Sequence, residues 1–214
     1  MPVMPDLTCD ELSIPHQLRR NNRSAQDFTD GDEFLYRWFP PNVEILSDDK
    51  LSGAAIGNVF QSPCDISCNR QSLCDQSTDV LYNIKKLPHR FDFGVIQTKI
   101  EKIKGYNFDF DEPIQGVNAV RSISIRLDVQ HTPEECMYPH SEILIFKGGE
   151  LLHDPVKPPT LRTLIRGQLQ PLFTVCHQPD PDFIPPQPPI ANKRKPITVW
   201  TMIVGIFRKL LRLN

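Results

Sequence analysis

Residues 179–189 read Pro-Asp-Pro-Asp-Phe-Ile-Pro-Pro-Gln-Pro-Pro, six prolines in eleven positions. Proline fixes φ and has no N–H, so such a run fits neither a helix interior nor a central strand. It favours an extended polyproline II spacer that rises about 3.1 Å per residue, and it also has the composition of a ligand for an SH3-like groove. Packed structure must therefore form on either side of it. The chain divides into a polar lead-in over 1–26, a globular domain over 27–177, a proline-rich basic linker over 178–196 and a short helix over 197–213.

Charge follows the same division. Residues 1–182 hold all 26 acidic residues against 18 Lys and Arg, a net −8, whereas 183–214 hold six Lys and Arg and no acid. An acidic body repels nucleic acid on average, so no nucleic-acid partner is expected for it, and the basic tail calls for a partner of its own. No apolar run reaches 18 residues, and Met1-Pro2-Val3-Met4-Pro5-Asp6 has neither a basic nor an apolar leader region. The expected compartment is the cytoplasm, with the six cysteines as reduced thiols.

The domain reads as α+β: a small, mostly antiparallel sheet with a few short helices. Ile123, Ile125, Leu127 and Val129 alternate with polar residues, the period of a half-buried strand. Val95 to Ile100 is β-branched, and Ile143 to Phe146 is a continuous apolar run leading to Gly148-Gly149, a hairpin signal. Asp30 and Glu33 have capping-box spacing, which predicts a short helix that buries Phe34 and Trp38 and ends at Pro40-Pro41. Leu51 to Ile56 reads as a strand, and Thr160 caps a predicted helix over 161–170 on which Leu161, Leu164, Ile165 and Leu169 share a face.

Over 197–213, steps of about 100° gather Thr198, Thr201, Gly205, Arg208, Lys209 and Arg212 into one narrow arc. The rest is apolar and includes Trp200 and Phe207, and Lys193, Arg194 and Lys195 stand just before it. A wide apolar face with only basic charges is the profile of a helix lying in an anionic membrane interface. Two other readings stay open: docking on the acidic body, or lying in a partner protein's groove. The uncharged run 196–207 reaches only about 18 Å as a helix, too short to span. These eight residues, Lys193, Arg194, Lys195, Trp200, Phe207, Arg208, Lys209 and Arg212, are the candidate membrane- or partner-binding set, and the predicted localisation is peripheral to the inner face of the membrane.

Two patterns in the body bear on catalysis. His131, Cys136 and His140 on one loop offer three borderline zinc ligands, as a hydrolase would use, whereas Cys64, Cys68 and Cys74 lack the paired spacing of zinc ribbons. Arg37, then Ser52-Gly53, then Glu142 at the head of an apolar strand resembles the basic–Ser–Glu order of ADP-ribosyltransferase folds. That resemblance implies that Arg37 would hold NAD and Glu142 would stabilise an oxocarbenium-like ribose. The primary expectation is a binding or accessory protein with no metal and no cofactor; these two enzymes are the alternatives.

Four further pieces resemble a family of small bacterial proteins without an assigned activity: Phe34 to Pro41, Asn69 through Leu81, Phe93 to Ile96, and Pro139 to Ile143. The resemblance covers residues 30–146 and implies a bacterial origin and nothing about mechanism.

Overall fold

The alternating run over 121–130 forms the longest strand of an eight-stranded sheet in the computed structural model, which describes residues 7–28, 30–53, 55–56, 65–152, 159–180 and 182. The strands are β1 (Phe34–Phe39), β2 (Asp65–Arg70), β3 (Gly94–Lys99), β4 (Asn107–Pro113), β5 (Val120–His131), β6 (His140–Lys147), β7 (Glu150–Leu151) and β8 (Thr174–His177). Their order is β4-β5-β6-β2-β1-β3-β8, with β7 added on β6, and every pairing is antiparallel. The linker beyond Asp182 and the helix expected over 197–213 lie outside the described residues.

One face carries the main core. Ile125, Leu127 and Val129 of β5, Ile143 and Ile145 of β6, Ile66 of β2, and Leu35 and Phe39 of β1 meet Leu161, Ile165 and Leu169. Those last three project from helix α2 (Pro159–Leu169), which follows a single turn, α1 (Ile100–Ile103). The helix expected over 161–170 is thus present. Thr160 lies inside it rather than capping it, and Pro171 falls in the 3-10 turn that closes it. Gly148 and Gly149 both take positive φ, 58° and 91°, and turn β6 into β7 as their sequence anticipates.

Two expectations are corrected. Residues 34–39 form a central strand, not a helix. Four of the six are aromatic, which suits a pleated surface. Both faces are covered: Leu35 and Phe39 enter the main core, while Tyr36 packs with Val80, Leu81 and Val95, with Trp38, Phe91 and Phe93 beside them. Burial on both faces erases the alternation by which strands are recognised. Residues 51–56 are not a strand either: Leu51 makes one bridge to Ile45, and Ala55 and Ile56 belong to a helical turn in which Ser52 Oγ accepts from the Ala55 amide.

The stretch read as a polar lead-in supplies a third cluster. Leu12, Ile14 and Leu18 are buried against Met137 on the β5–β6 loop. A disulfide joins Cys9 to Cys136, with Cα atoms 5.3 Å apart, so these two of the six cysteines are not the reduced thiols expected. Around it the Leu18 carbonyl accepts from the Tyr138 amide, the Glu135 carbonyl from the Arg20 amide, and Arg23 stacks 3.7 Å over the Tyr138 ring.

Candidate functional site

The loop that carries His131, Cys136 and His140 is built to hold the N-terminal segment. His131 Nδ1 accepts from the Gln26 amide at 2.8 Å, and its Nε2 meets the Tyr138 carbonyl at 2.7 Å. The amide contact leaves Nε2 as the protonated nitrogen, so both ring nitrogens are engaged in the neutral form. Burial pushes the His131 pKa down. Cys136 is taken by the disulfide, and His140 Nδ1 contacts the Thr132 carbonyl at 2.8 Å. The three candidate zinc ligands therefore serve three different structural bonds. Among the described residues, no group of three or more His, Cys, Asp or Glu is placed to hold a metal.

By strand register Arg37 and Glu142 alternate onto opposite faces of the sheet. Arg37 sits opposite Ile96 on β3, on the side of Leu35 and Phe39, and is 7% exposed. The β1–β2 ladder stops at Tyr36–Asn69, and just beyond it Arg37 Nη1 donates to the Ser67 carbonyl at 2.6 Å. Glu142 pairs with Ser67 and Gln130, one residue out of phase with the core positions Ile143 and Ile145, so it belongs to the other face. Ser52 lies next to the turn that buries Ala55 and Ile56. Arg37 has the strand setting that the ADP-ribosyltransferase pattern wants, and it and Glu142 both border Ser67. Of the middle cysteines, Cys68 is buried and its thiol is pushed up to about 12 by desolvation, and burial also raises Cys74.

Sequence reasoning missed a different cluster, centred on Trp38, whose ring packs with Phe91 and Phe93 on the face of the sheet opposite α2. The Arg90 guanidinium lies over the Trp38 indole with Cζ 4.2 Å from the ring centroid. The Arg37 Cζ stands 5.7 Å from the same ring, and Phe93 meets the indole edge-on at 5.6 Å. Arg90 is half-buried at the start of a turn in which its carbonyl accepts from the Phe93 amide. Burial, and then the neighbouring Arg37 charge, lower the Arg90 pKa. Among the described residues no carboxylate forms an ion pair with Arg90. Nothing in the sequence couples residues 37 and 38 to residue 90: the link is made only when β3 brings the 90–93 turn alongside β1.

An open cleft of about 340 Å³ lies beside the disulfide, lined by Leu7, Ile84, Lys85, Glu134, Glu135 and Cys136. Its charged walls are of mixed sign, so it selects no ligand charge. The eight tail residues named as a binding set lie outside the described residues. Comparison with protein-family models, with curated proteins and with solved structures gave no match to this chain.

Proposed function

We propose that this protein is a binding or accessory protein, its sheet domain recruited to an anionic membrane surface by the basic helix expected over 197–213. One observation carries the reading: the tail beyond residue 182 holds six Lys and Arg and no acid, while everything before it is net −8. Each basic residue near an anionic surface contributes about 1 kcal/mol, and Trp200 and Phe207 add apolar insertion. The spacer over 179–189 reaches about 34 Å when extended, enough to hold an acidic domain off a like-charged membrane. Among the described residues no helix is long and apolar enough to cross a membrane.

Co-sedimentation of the full chain with vesicles is the test. Anionic vesicles should pellet the protein and neutral ones should not, and the difference should shrink as salt rises. Changing Arg208, Lys209 and Arg212 together to Gln should weaken anionic binding at least about tenfold, three charges at about 1 kcal/mol each. Binding indifferent to lipid charge and salt would remove the membrane reading.

A further inference from the structure

We propose that the Cys9–Cys136 disulfide is a thiol-exchange site, opened from the cleft beside it by a low-molecular-mass thiol that carries both signs of charge. Access comes first. Both cysteines are half-buried, and Cys136 lines the open cleft of about 340 Å³ with Ile84, Lys85, Glu134 and Glu135. Disulfides that a thiolate can reach are the ones that exchange, and a space of this size takes a small peptide. The walls select no net charge, but each sign has a place on them. Lys85 suits a carboxylate and the attacking thiolate, while Glu134 and Glu135 suit an ammonium. The free thiols among the described residues do not compete. Burial pushes Cys68 up to about 12 and Cys176 up to about 11, and it raises Cys74 as well.

The fold sets the direction of the exchange. Cys136 stands in a turn closed by two backbone hydrogen bonds between Glu134 and Met137, at 3.2 and 3.1 Å, so its sulfur is presented from a fixed loop. Cys9 belongs to the segment that the disulfide holds and does not line the cleft. The incoming thiolate therefore attacks Cys136 Sγ. The Sγ–Sγ bond breaks, Cys9 leaves as the thiolate with the electron pair of that bond, and Cys136 carries the small thiol as a mixed disulfide. A second thiolate then attacks the small molecule's sulfur, which releases a small-molecule disulfide and frees Cys136. The two cysteines take up the protons that the two thiols gave. Without a second thiol, Cys9 attacks Cys136 Sγ in return and closes the bond again. The site belongs to the sheet domain and does not depend on the tail.

The test treats the oxidised full chain with reduced glutathione, a peptide thiol with carboxylates and an ammonium. The reaction is stopped with iodoacetamide short of full reduction and mapped by mass spectrometry. Glutathione should sit on Cys136 and the iodoacetamide label on Cys9, at least about tenfold over the reverse pattern, because only one sulfur faces the cleft. The rate should hardly change in urea below the unfolding transition, since the bond is reached in the folded state. At equal thiolate concentration glutathione should outpace mercaptoacetate and cysteamine, which carry one charge each. Lys85 is exposed, and Lys85→Gln should slow glutathione about two- to fivefold, the size of one exposed charge pair, without slowing cysteamine. Cys9→Ser treated with oxidised glutathione should take it up at Cys136, a readout that needs no intact disulfide. Glutathione on Cys9 or split evenly, a rate that climbs with urea as global unfolding does, one rate for all three thiols, or no uptake by Cys9→Ser would overturn the site.

Discussion

The buried ion pair between Glu33 and Arg70 shows how a single residue decides where the chain turns. Arg70 Nε and Nη2 donate to the two Glu33 oxygens at 3.0 and 2.7 Å, and both side chains are about 5% exposed. Ser72 adds its hydroxyl at 2.6 Å and its amide at 3.2 Å, and Arg70 Nη1 reaches back to the Gln26 carbonyl. Glu33, whose spacing suggests a helix cap, is instead the anchor of the entry to β1. Burial alone would raise its pKa, but the bonds from Arg70 and Ser72 outweigh that and hold it below the usual value. A carboxyl depressed in the folded state contributes stability above its unfolded pKa of about 4.3 and loses it as pH falls through the folded value. Glu33→Gln keeps the shape and strands the Arg70 charge, so it should cost about 3–5 kcal/mol at pH 7. Urea unfolding between pH 7 and pH 3 should show the variant's deficit shrinking below about pH 4; a deficit constant with pH would mean that the carboxylate charge contributes nothing.

At the scale of elements, the crossing of β1 and β3 turns on one glycine. Phe39 is fully buried and its ring lies over Gly94, so an added Cβ would stand 2.2 Å from Phe39 Cζ. The ring has little room to move away, because Phe39 is fully buried in the main core. Gly94→Ala should therefore cost about 1–3 kcal/mol as overpacking, read as a lower urea midpoint with an unchanged slope. Phe39→Leu in the same chain should recover part of it, since the clash is with the ring. The same crossing explains which elements can be read from sequence. β5 lies in the half of the sheet where polar and apolar positions still alternate, and α2 has one apolar stripe, so period alone identifies them, whereas β6 is marked by an apolar run closed by Gly148-Gly149. β1 is covered on both faces, and its capping-box spacing mimicked a helix start. Nothing local marks the role of Gly94, because the ring it accommodates comes from a residue far away in sequence.

Across the whole molecule, the features least visible in sequence are those that join distant segments. The tail's charge and amphipathic pattern are local and legible. The Arg37–Trp38–Arg90 cluster and the N-terminal clasp are not, because each needs the sheet before its parts meet. Leu12, Ile14 and Leu18 were the available hint that the lead-in is packed, diluted by the polar residues around them. The six cysteines were read through the compartment, yet the residues that pair are separated by 127 positions. A bond of that reach persists in oxidising surroundings and opens in reducing ones, so it removes the reduced cysteines as support for a cytoplasmic address. Closing so long a loop restricts the unfolded chain strongly, by about 4–5 kcal/mol in the chain-entropy account and more often about 2–4 in practice. Cys9→Ser, Cys136→Ser and the double variant should each lose about that stability, and equally, since one bond is removed in all three. Dithiothreitol should bring the unmodified chain to the same urea midpoint and leave the double variant unmoved. Loss of the clasp should free residues 7–26 first, seen as faster amide exchange at Leu18 and at Tyr138, whose amide donates to the Leu18 carbonyl. If all three variants stayed within about 0.5 kcal/mol of the parent, the segment would be held by the burial of Leu12, Ile14 and Leu18 rather than by the sulfur bond.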